Sequence, residues 1–341
     1  MKELKPYKLF LILLNFVCYF YGARLLAFSK DDVLYKGNTS AITYKLGGRL
    51  GDQLITYIKA KWLSYKYNIP LYFSFSKYLG ELKISKIDLE FNEEIKRKFN
   101  KVLYLKIAGS RLRNSKYGYG GRSQSKFNMI EPEANVLYVS NHYANVNIDW
   151  NDKNFIKELK RTICPIEKID KPEIPESCIS VAVHVRKGGG IDLPLCLKQY
   201  ADKLWPLKFP PDEYYIVQIR KLYKMLNKSS LHVHIFTDDR NPKRIVEKYK
   251  KELNIGNITF SCREKGNSHG KNVVEDLILM TYYDCQIRSL SNFAIIPDII
   301  GDFFVVIYPE HGYWRNNKLI IDKVKVRINR DCCDFTLIGD H

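Results

Sequence analysis

Residues 179–190 read ISVAVHVRKGGG, and this segment is the clearest indication of an α/β fold in the chain. Apolar residues at every second position predict a buried strand over 179–186, with His184 and Arg186 on the opposite face, roughly 6–7 Å apart. The glycines at 188–190 follow, where backbone amides can approach an anion without side-chain interference. In open α/β sheets ligands bind at this carboxyl end of the strands. The stretch therefore predicts an anion site held by Arg186; the alternative is an ordinary salt-bridged arginine beside a flexible turn.

The rest of the chain alternates between strands and helices, as parallel sheets covered on both faces require. Near the start, a strand is followed by a glycine-rich turn and by a helix whose apolar residues recur every fourth position. We therefore predict an α/β protein with two Rossmann-like domains of GT-B type, whose parallel sheets face a cleft. The predicted strands are 41–46, 71–75, 136–139, 179–186, 232–237, 258–261, 285–289 and a last strand at 303–308; the predicted helices are 50–62, 154–163, 211–226, 241–253 and 273–283.

Prolines and charges at 164–177 indicate a linker between the two domains. The predicted organisation is an N-terminal segment at 1–28, a linker at 29–40, an α/β domain on the acceptor side at 41–164, a linker at 165–177 and a nucleotide-sugar domain at 178–341. No pattern explains the basic stretch at 81–125 or its loop at 117–121.

Charge and cysteine content restrict the function less than the motifs do. The formal net charge is +18, from 55 Lys+Arg against 37 Asp+Glu, but the basic residues are spread along the chain rather than forming one stripe. We therefore expect no nucleic-acid partner. Eight cysteines occur without zinc-ligand spacing, so no metal site is expected. The composition predicts no oligomeric state.

The N-terminus resembles a membrane signal-anchor. Lys2, Lys5 and Lys8 precede an apolar run at 9–23, and residues 25–28 extend it to a length that could span a bilayer. The lysines favour a cytoplasmic N-terminus, which would place the rest of the chain on the lumenal or exported side as a single-pass type II protein. The alternative is a cleaved signal peptide and a secreted protein.

Two further polar loops follow predicted strands at the same sheet edge. Asp238 and Asp239 end the strand at 232–237, where a carboxylate suits a ribose hydroxyl or a base N–H; the alternative is a helix N-cap. Ser291 and Asn292 follow the strand at 285–289 and offer neutral donors to phosphate or sugar, again with an N-cap as the alternative. Three polar loops at one edge are a more specific signal than any one of them.

The ordered set of motifs resembles the α1,2-fucosyltransferase family (glycosyltransferase family 11), which is distantly related to α1,6- and protein O-fucosyltransferases. Residues 48–53, GRLGDQ, resemble the family's G-R-L-G-N-Q, with Asp52 in place of Asn. Residues 184–188, HVRKG, resemble H-V-R-R-G-D, with Gly189 in place of the Asp. The stretches 236–239 and 275–293 resemble F-S-D-D and D-L-x-L-M…I-I-S-N-S-S-F, and 212–215 contains the E-Y-Y that commonly follows.

The resemblance implies an inverting, metal-independent transfer of fucose from GDP-fucose to a glycan hydroxyl, as in a galactoside 2-alpha-L-fucosyltransferase, with no cofactor. Arg186 would hold the β-phosphate and act in catalysis. Asp192 is the candidate general base, and Glu213 is a second carboxylate that could serve in this role. The departures leave two alternatives, another nucleotide sugar or an inactive membrane-tethered glycan-binding protein. The implied donor-binding residues are His184, Arg186, Gly188, Asp238, Asp239, Ser291 and Asn292, and Gly48, Arg49, Gly51, Asp52 and Gln53 would line the acceptor side.

Overall fold

The computed structural model describes residues 40–105, 130–187, 201–268 and 270–328. Several predictions lie outside these residues: the N-terminal segment at 1–28, the loop at 117–121, Gly188, Gly189 and the candidate base Asp192. Across the described residues, no helix combines the length and apolar character needed to cross a membrane.

The N-terminal half has a three-stranded parallel sheet in the order β1-β5-β4. A long helix, α1, is the next element after β1 and ends before Pro70. After Pro70 the chain comes back to the sheet, where Leu71 forms a β-bridge with Ile42 of β1. The short strands β2 and β3 pair with each other in parallel. The elements are β1 (Ala41–Tyr44), α1 (Leu50–Tyr67), β2 (Tyr72–Phe73), α2 (Lys77–Gly80), α3 (Ile84–Ile87), β3 (Leu89–Glu90), α4 (Glu93–Arg97), β4 (Lys101–Tyr104), β5 (Val136–Ser140) and α5 (Lys153–Thr162).

The C-terminal half has a six-stranded sheet in the order β11-β10-β9-β6-β7-β8. Strands β10, β9, β6, β7 and β8 run parallel, so their carboxyl ends lie along one edge. The alternating apolar residues at 179–185 form the central strand β6. The elements are β6 (Ile179–Val185), α6 (Ala201–Leu204), a 3₁₀ turn (Pro206–Lys208), α7 (Asp212–Met225), β7 (Leu231–Thr237), α8 (Pro242–Leu253), β8 (Ile258–Cys262), α9 (Val273–Met280), β9 (Cys285–Arg288), α10 (Asn292–Ile300), β10 (Val305–Arg315) and β11 (Lys318–Ile328).

The mixed α/β class with parallel sheets is thereby confirmed, but the prediction of a last strand at 303–308 was wrong. Strand β10 continues to Arg315, and the chain then turns back into an antiparallel partner, β11. The turn is formed by Asn316 and Asn317, whose φ angles of 49° and 58° lie in the left-handed region that asparagine tolerates better than most residues. The prediction ended the strand at 308, before this turn.

One core cluster joins elements from both halves of the chain. Ile295, Ile296 and Ile299 of α10 are buried among the apolar residues of α1 and α5, together with Leu277 of α9. Burial of this apolar surface is the main favourable term that holds the two halves together. The division into domains at 41–164 and 178–341 stays a prediction, because residues 274–300 contribute to the same core as α1.

Candidate active site

A cleft lies at the carboxyl ends of β6, β7 and β9, and its opposite wall is the beginning of α1. Its empty volume is about 790 Å³, a figure that includes the space open to solvent. Residues that are as many as 244 positions apart in the chain, Arg49 and Phe293, line it. The lining residues are Arg49, Leu50, Gly51, Asp52, Tyr78, His184, Arg186, Lys208, Phe236, Thr237, Asp238, Ser268, Lys271, Val273, Asp276, Ser291, Asn292 and Phe293.

Arg186 follows the last residue of β6 and lines this cleft. Its Nη1 donates a hydrogen bond to Ser291 Oγ at 3.2 Å, and its guanidinium lies 5.3 Å from the centroid of the Phe209 ring. A different arginine, Arg288, is buried against a structural carboxylate: its Nε and Nη2 donate to Asp298 Oδ2 at 3.1 and 2.9 Å. The structure therefore places Arg186, rather than Arg288, where it can meet a ligand.

His184 lies two residues earlier on the same face of β6 and is 7% exposed. Burial lowers the pKa of its imidazole to about 4; Asp238 raises it, and Arg186 and Arg288 lower it further. The ring therefore stays neutral near pH 7. It packs against Phe293 with ring centroids 5.5 Å apart, and its Nδ1 has no hydrogen-bond partner within the described part of the chain. A neutral imidazole in this position can donate or accept one hydrogen bond with a ligand.

The two carboxylates after β7 have different surroundings. Asp238 lines the cleft, and its Oδ1 accepts a hydrogen bond from the backbone N–H of Lys187 at 2.7 Å, which ties the end of β6 to the end of β7. Asp239 is not among the lining residues; its Oδ1 accepts from the backbone N–H of Asn241 at 2.7 Å. Asn241 is the N-cap residue of α8. Asp239 therefore stabilises the local turn, and only Asp238 faces the cleft.

Ser291 and Asn292 lie where α10 begins, with Ser291 as its N-cap residue. Both line the cleft and are buried, and the side chain of Ser291 contacts Arg186 rather than capping its own helix. The start of a helix presents backbone N–H groups and the positive end of the helix dipole, which together suit an anion. The guanidinium of Arg186 and the first turn of α10 thus converge on one region of the cleft.

The glycine-rich turn at 47–51 forms the opposite wall. Gly48 has a φ of 64°, and an added Cβ would lie 2.2 Å from Asp52 Oδ2, so this position requires glycine on both grounds. Gly51 lies so close to α10 that an added Cβ would be 2.4 Å from the backbone nitrogen of Phe293. Asp52 Oδ1 accepts a hydrogen bond from Asn292 Nδ2 at 2.7 Å. This contact joins the first turn of α1 to the first turn of α10.

Two residues of this motif do not line the cleft. Gly48 lies next to the side chain of Asp52, and Gln53 is buried and hydrogen-bonded to the turn. Gln53 Nε2 donates to the carbonyl of Gly48 at 3.3 Å, and Ser76 donates to Gln53 Oε1 at 2.7 Å. Within the described residues these contacts make Gln53 a brace for the turn, whereas Arg49, Gly51 and Asp52 lie at the cleft surface.

Several cleft residues were not predicted from the sequence. Lys208 lies beside Trp205, with its Nζ 4.8 Å from the ring centroid, and Lys271 precedes α9. Asp276, in α9, accepts a hydrogen bond from Arg263 at 2.7 Å, and burial raises the pKa of its carboxyl although Arg263 lowers it. Asp276 lies in the stretch 275–280 that carries the D-L-x-L-M resemblance, so that motif could have identified it. Lys208 and Lys271 carry no sequence signal of this kind.

The fold and the cleft define an α/β protein whose parallel sheet has, at its carboxyl edge, a cleft lined by Arg186, Asp238 and the first turn of α10. No protein-family model matches this chain, and no curated protein sequence matches it.

Solved structures show remote likenesses. POFUT1 in complex with GDP-fucose has a TM-score of 0.45 and 12% sequence identity, over 78% of this chain and 95% of that chain. The fucosyltransferase NodZ from Bradyrhizobium has a TM-score of 0.41 and 13% identity, over 85% of this chain and 99% of that one. A mutant of Arabidopsis thaliana FUT1 in complex with GDP has a TM-score of 0.45 and 12% identity, over 82% and 73%. Similarity this remote carries no conclusion about the activity of this chain.

Proposed function

We propose that this chain is a glycosyltransferase that uses a nucleotide-diphosphate sugar. The observation that carries the proposal is the convergence of Arg186 and the first turn of α10 in a cleft that Asp238 also lines. A diphosphate leaving group gains negative charge in the transition state, and preorganised cations and N–H donors stabilise that charge most effectively. A guanidinium can bind two phosphate oxygens at once, which a lysine ammonium cannot do in the same way.

The donor is GDP-fucose and the acceptor is a hydroxyl of a glycan, as the resemblance of residues 48–53, 184–188, 236–239 and 275–293 implies. In this proposal Arg186 binds the β-phosphate and Ser291 with Asn292 binds the phosphate region. Asp238 contacts the nucleoside. The transfer inverts the anomeric centre and needs no metal, because Arg186 and the helix start supply the positive charge that Mg²⁺ would otherwise provide.

The decisive experiment is a donor screen that follows nucleotide release from GDP-, UDP- and CMP-sugars. We expect turnover of GDP-fucose alone, and a loss of about 10²–10³-fold in kcat for Arg186→Ala. Arg186→Lys should recover only part of this loss because lysine binds phosphate as a point charge. Arg315→Ala, which removes an exposed arginine of the β10–β11 hairpin, is the matched control and should retain activity.

The other outcomes of the screen separate the alternatives. Turnover of a different donor would contradict GDP-fucose as the donor but would still support a glycosyltransferase. Glycan binding without turnover of any donor would instead favour an inactive glycan-binding protein, which the replacement of the family's Asp by Gly189 makes worth testing.

We further propose that residues 9–28 anchor the chain in a membrane, with the cleft on the lumenal or exported side. The three lysines before this apolar run are the supporting observation. Protease protection of the full chain in sealed vesicles tests the proposal. Release of the chain as a soluble, shortened product would instead support a cleaved signal peptide.

A further inference from the structure

Asp52 presents a carboxylate to the cleft that Arg186 also lines. It lies in the first turn of α1, and two donors hold it: Asn292 Nδ2 at 2.7 Å from Oδ1, and the backbone N–H of Arg49 at 3.3 Å from Oδ2. A carboxylate offers about four lone-pair directions, so these two bonds leave it able to accept another hydrogen bond from a ligand. The residue is partly exposed and lines the cleft.

Among the described residues that line the cleft, three carry carboxylates, and the other two have different duties. Asp276 is paired with Arg263 at 2.7 Å, and burial raises the pKa of this carboxyl. Asp238 accepts the Lys187 N–H and lies at the carboxyl end of β7, on the sheet side of the cleft that the donor occupies in our proposal. Asp52 alone of the three belongs to the N-terminal half, which is the proposed acceptor side.

A chain of contacts fixes the position of Asp52 relative to the proposed diphosphate anchor. Asp52 binds the side chain of Asn292, the adjacent Ser291 accepts a hydrogen bond from Arg186 Nη1 at 3.2 Å, and both residues belong to the start of one helix. The close packing of Gly51 on Phe293 prevents the two walls from sliding past each other. The carboxylate and the guanidinium are therefore held at fixed positions in one cleft, where a base and a leaving-group anchor can act on the same carbon.

We propose that Asp52 is the general base of the transfer reaction, an inference that rests on the proposed function. Asp52 takes the proton of the acceptor hydroxyl as the acceptor oxygen forms a bond to the anomeric carbon of the donor sugar. The bond between that carbon and the diphosphate oxygen breaks, and its electron pair leaves with the nucleoside diphosphate, which Arg186 stabilises. Asp52 is the position at which this chain differs from the resembled motif, which has Asn there.

A purely structural role for Asp52 makes a different prediction. If the carboxylate served only to cap α1 and to orient Asn292, its loss would weaken nucleotide binding and stability together. If it is the base, its loss removes transfer but leaves nucleotide binding intact, because the proton is moved only during the chemical step.

The test compares Asp52→Asn and Asp52→Ala with wild type, in the purified full chain, by GDP affinity, melting temperature and fucose transfer. We expect transfer to fall by about 10²–10⁴-fold while GDP affinity stays within about threefold. Asp302→Asn, which removes an exposed carboxylate paired with Lys160, is the matched control and should transfer at the wild-type rate.

Chemical rescue distinguishes loss of the base from loss of the folded cleft, because only a folded variant that still binds the donor can use an added nucleophile. Azide needs no deprotonation, so it should attack the anomeric carbon in Asp52→Ala, displace GDP and give a glycosyl azide that mass spectrometry detects. Transfer within about tenfold of wild type in Asp52→Asn, or joint loss of GDP affinity and transfer without azide rescue, would overturn the role of base. A wild-type chain that turns over no donor would refute the proposed function itself, which is a distinguishable result.

Discussion

Replacement of Gly51 by alanine should separate α1 from α10 and disturb the cleft between them. The added Cβ would lie 2.4 Å from the backbone nitrogen of Phe293, 2.7 Å from its Cα and 2.8 Å from the carbonyl carbon of Asn292. Favourable contacts between such atoms begin near 3.5 Å, so the two backbones must move apart by about 1 Å. The obstructing atoms are backbone, which cannot rotate away as a flexible side chain can.

The magnitude follows from two opposing terms. Alanine is favoured over glycine within a helix by up to about 1 kcal/mol, whereas forced overpacking in a well-packed core costs about 1–3 kcal/mol and occasionally more. Because the clash is with backbone on both sides, we expect the upper part of this range and a net destabilisation of about 2 kcal/mol, which lowers the unfolding midpoint by roughly 3 °C for a chain of 341 residues. A displacement of about 1 Å at the start of α10 should also reduce transfer up to about 10²-fold.

Thermal unfolding and donor turnover of the same preparation measure both effects. Gly47→Ala is the matched control, since a Cβ there meets nothing within 4 Å, and it should unfold and act like wild type. If Gly51→Ala were as stable and as active as Gly47→Ala, the close approach of α1 to α10 and the geometry argued from it would be refuted.

Three further predictions concern other parts of the fold. Asp298 is fully buried between Arg288 and Arg327, so Asp298→Ala should cost about 3–5 kcal/mol of unfolding free energy in urea titrations, whereas Asp302→Ala should change it by less than about 1 kcal/mol. Burial lowers the pKa of His184 to about 4 from its usual 6.5, so the unfolded chain binds this proton at a higher pH than the folded chain does. The contribution of His184 to the free energy of unfolding should therefore be fully present above pH 6.5 and fall by about 3 kcal/mol as the pH drops to 4. His184→Gln should reduce this dependence of stability on pH. Gly48→Ala, at a φ of 64° with Asp52 Oδ2 2.2 Å from the new Cβ, should displace the Asp52 carboxylate and lower donor turnover more than Gly47→Ala does; equal turnover in the two variants would contradict the strained turn.

Local patterns were sufficient to predict β6 and β7 and the polar loops that follow them. The alternation at 179–186 predicted β6, which the structure assigns to Ile179–Val185, and the apolar run before Asp238 predicted β7. A parallel sheet brings the carboxyl ends of its strands to one edge, so the proximity of Arg186, Asp238 and Ser291 followed from topology.

Other features depended on contacts that no local pattern encodes. Arg186 follows β6 and Arg288 ends the neighbouring strand β9, and the packing of Asp298 against Arg288 distinguishes the structural arginine from the one in the cleft. In the same way Gln53 and Asp52 are adjacent in one motif, but Gln53 braces the turn and Asp52 faces the cleft.

The amino-acid sequence alone was enough to predict the α/β class, the central strand β6 and the polar loops at the sheet edge, because periodicity and turn residues act over a few positions. The tertiary structure alone decided how α1 meets α10, with Gly51 against Phe293 and Asp52 hydrogen-bonded to Asn292 across 240 positions of chain. Such contacts arise when the whole apolar core closes, since the geometry of a helix pair depends on the side chains of both partners and on every element packed behind them.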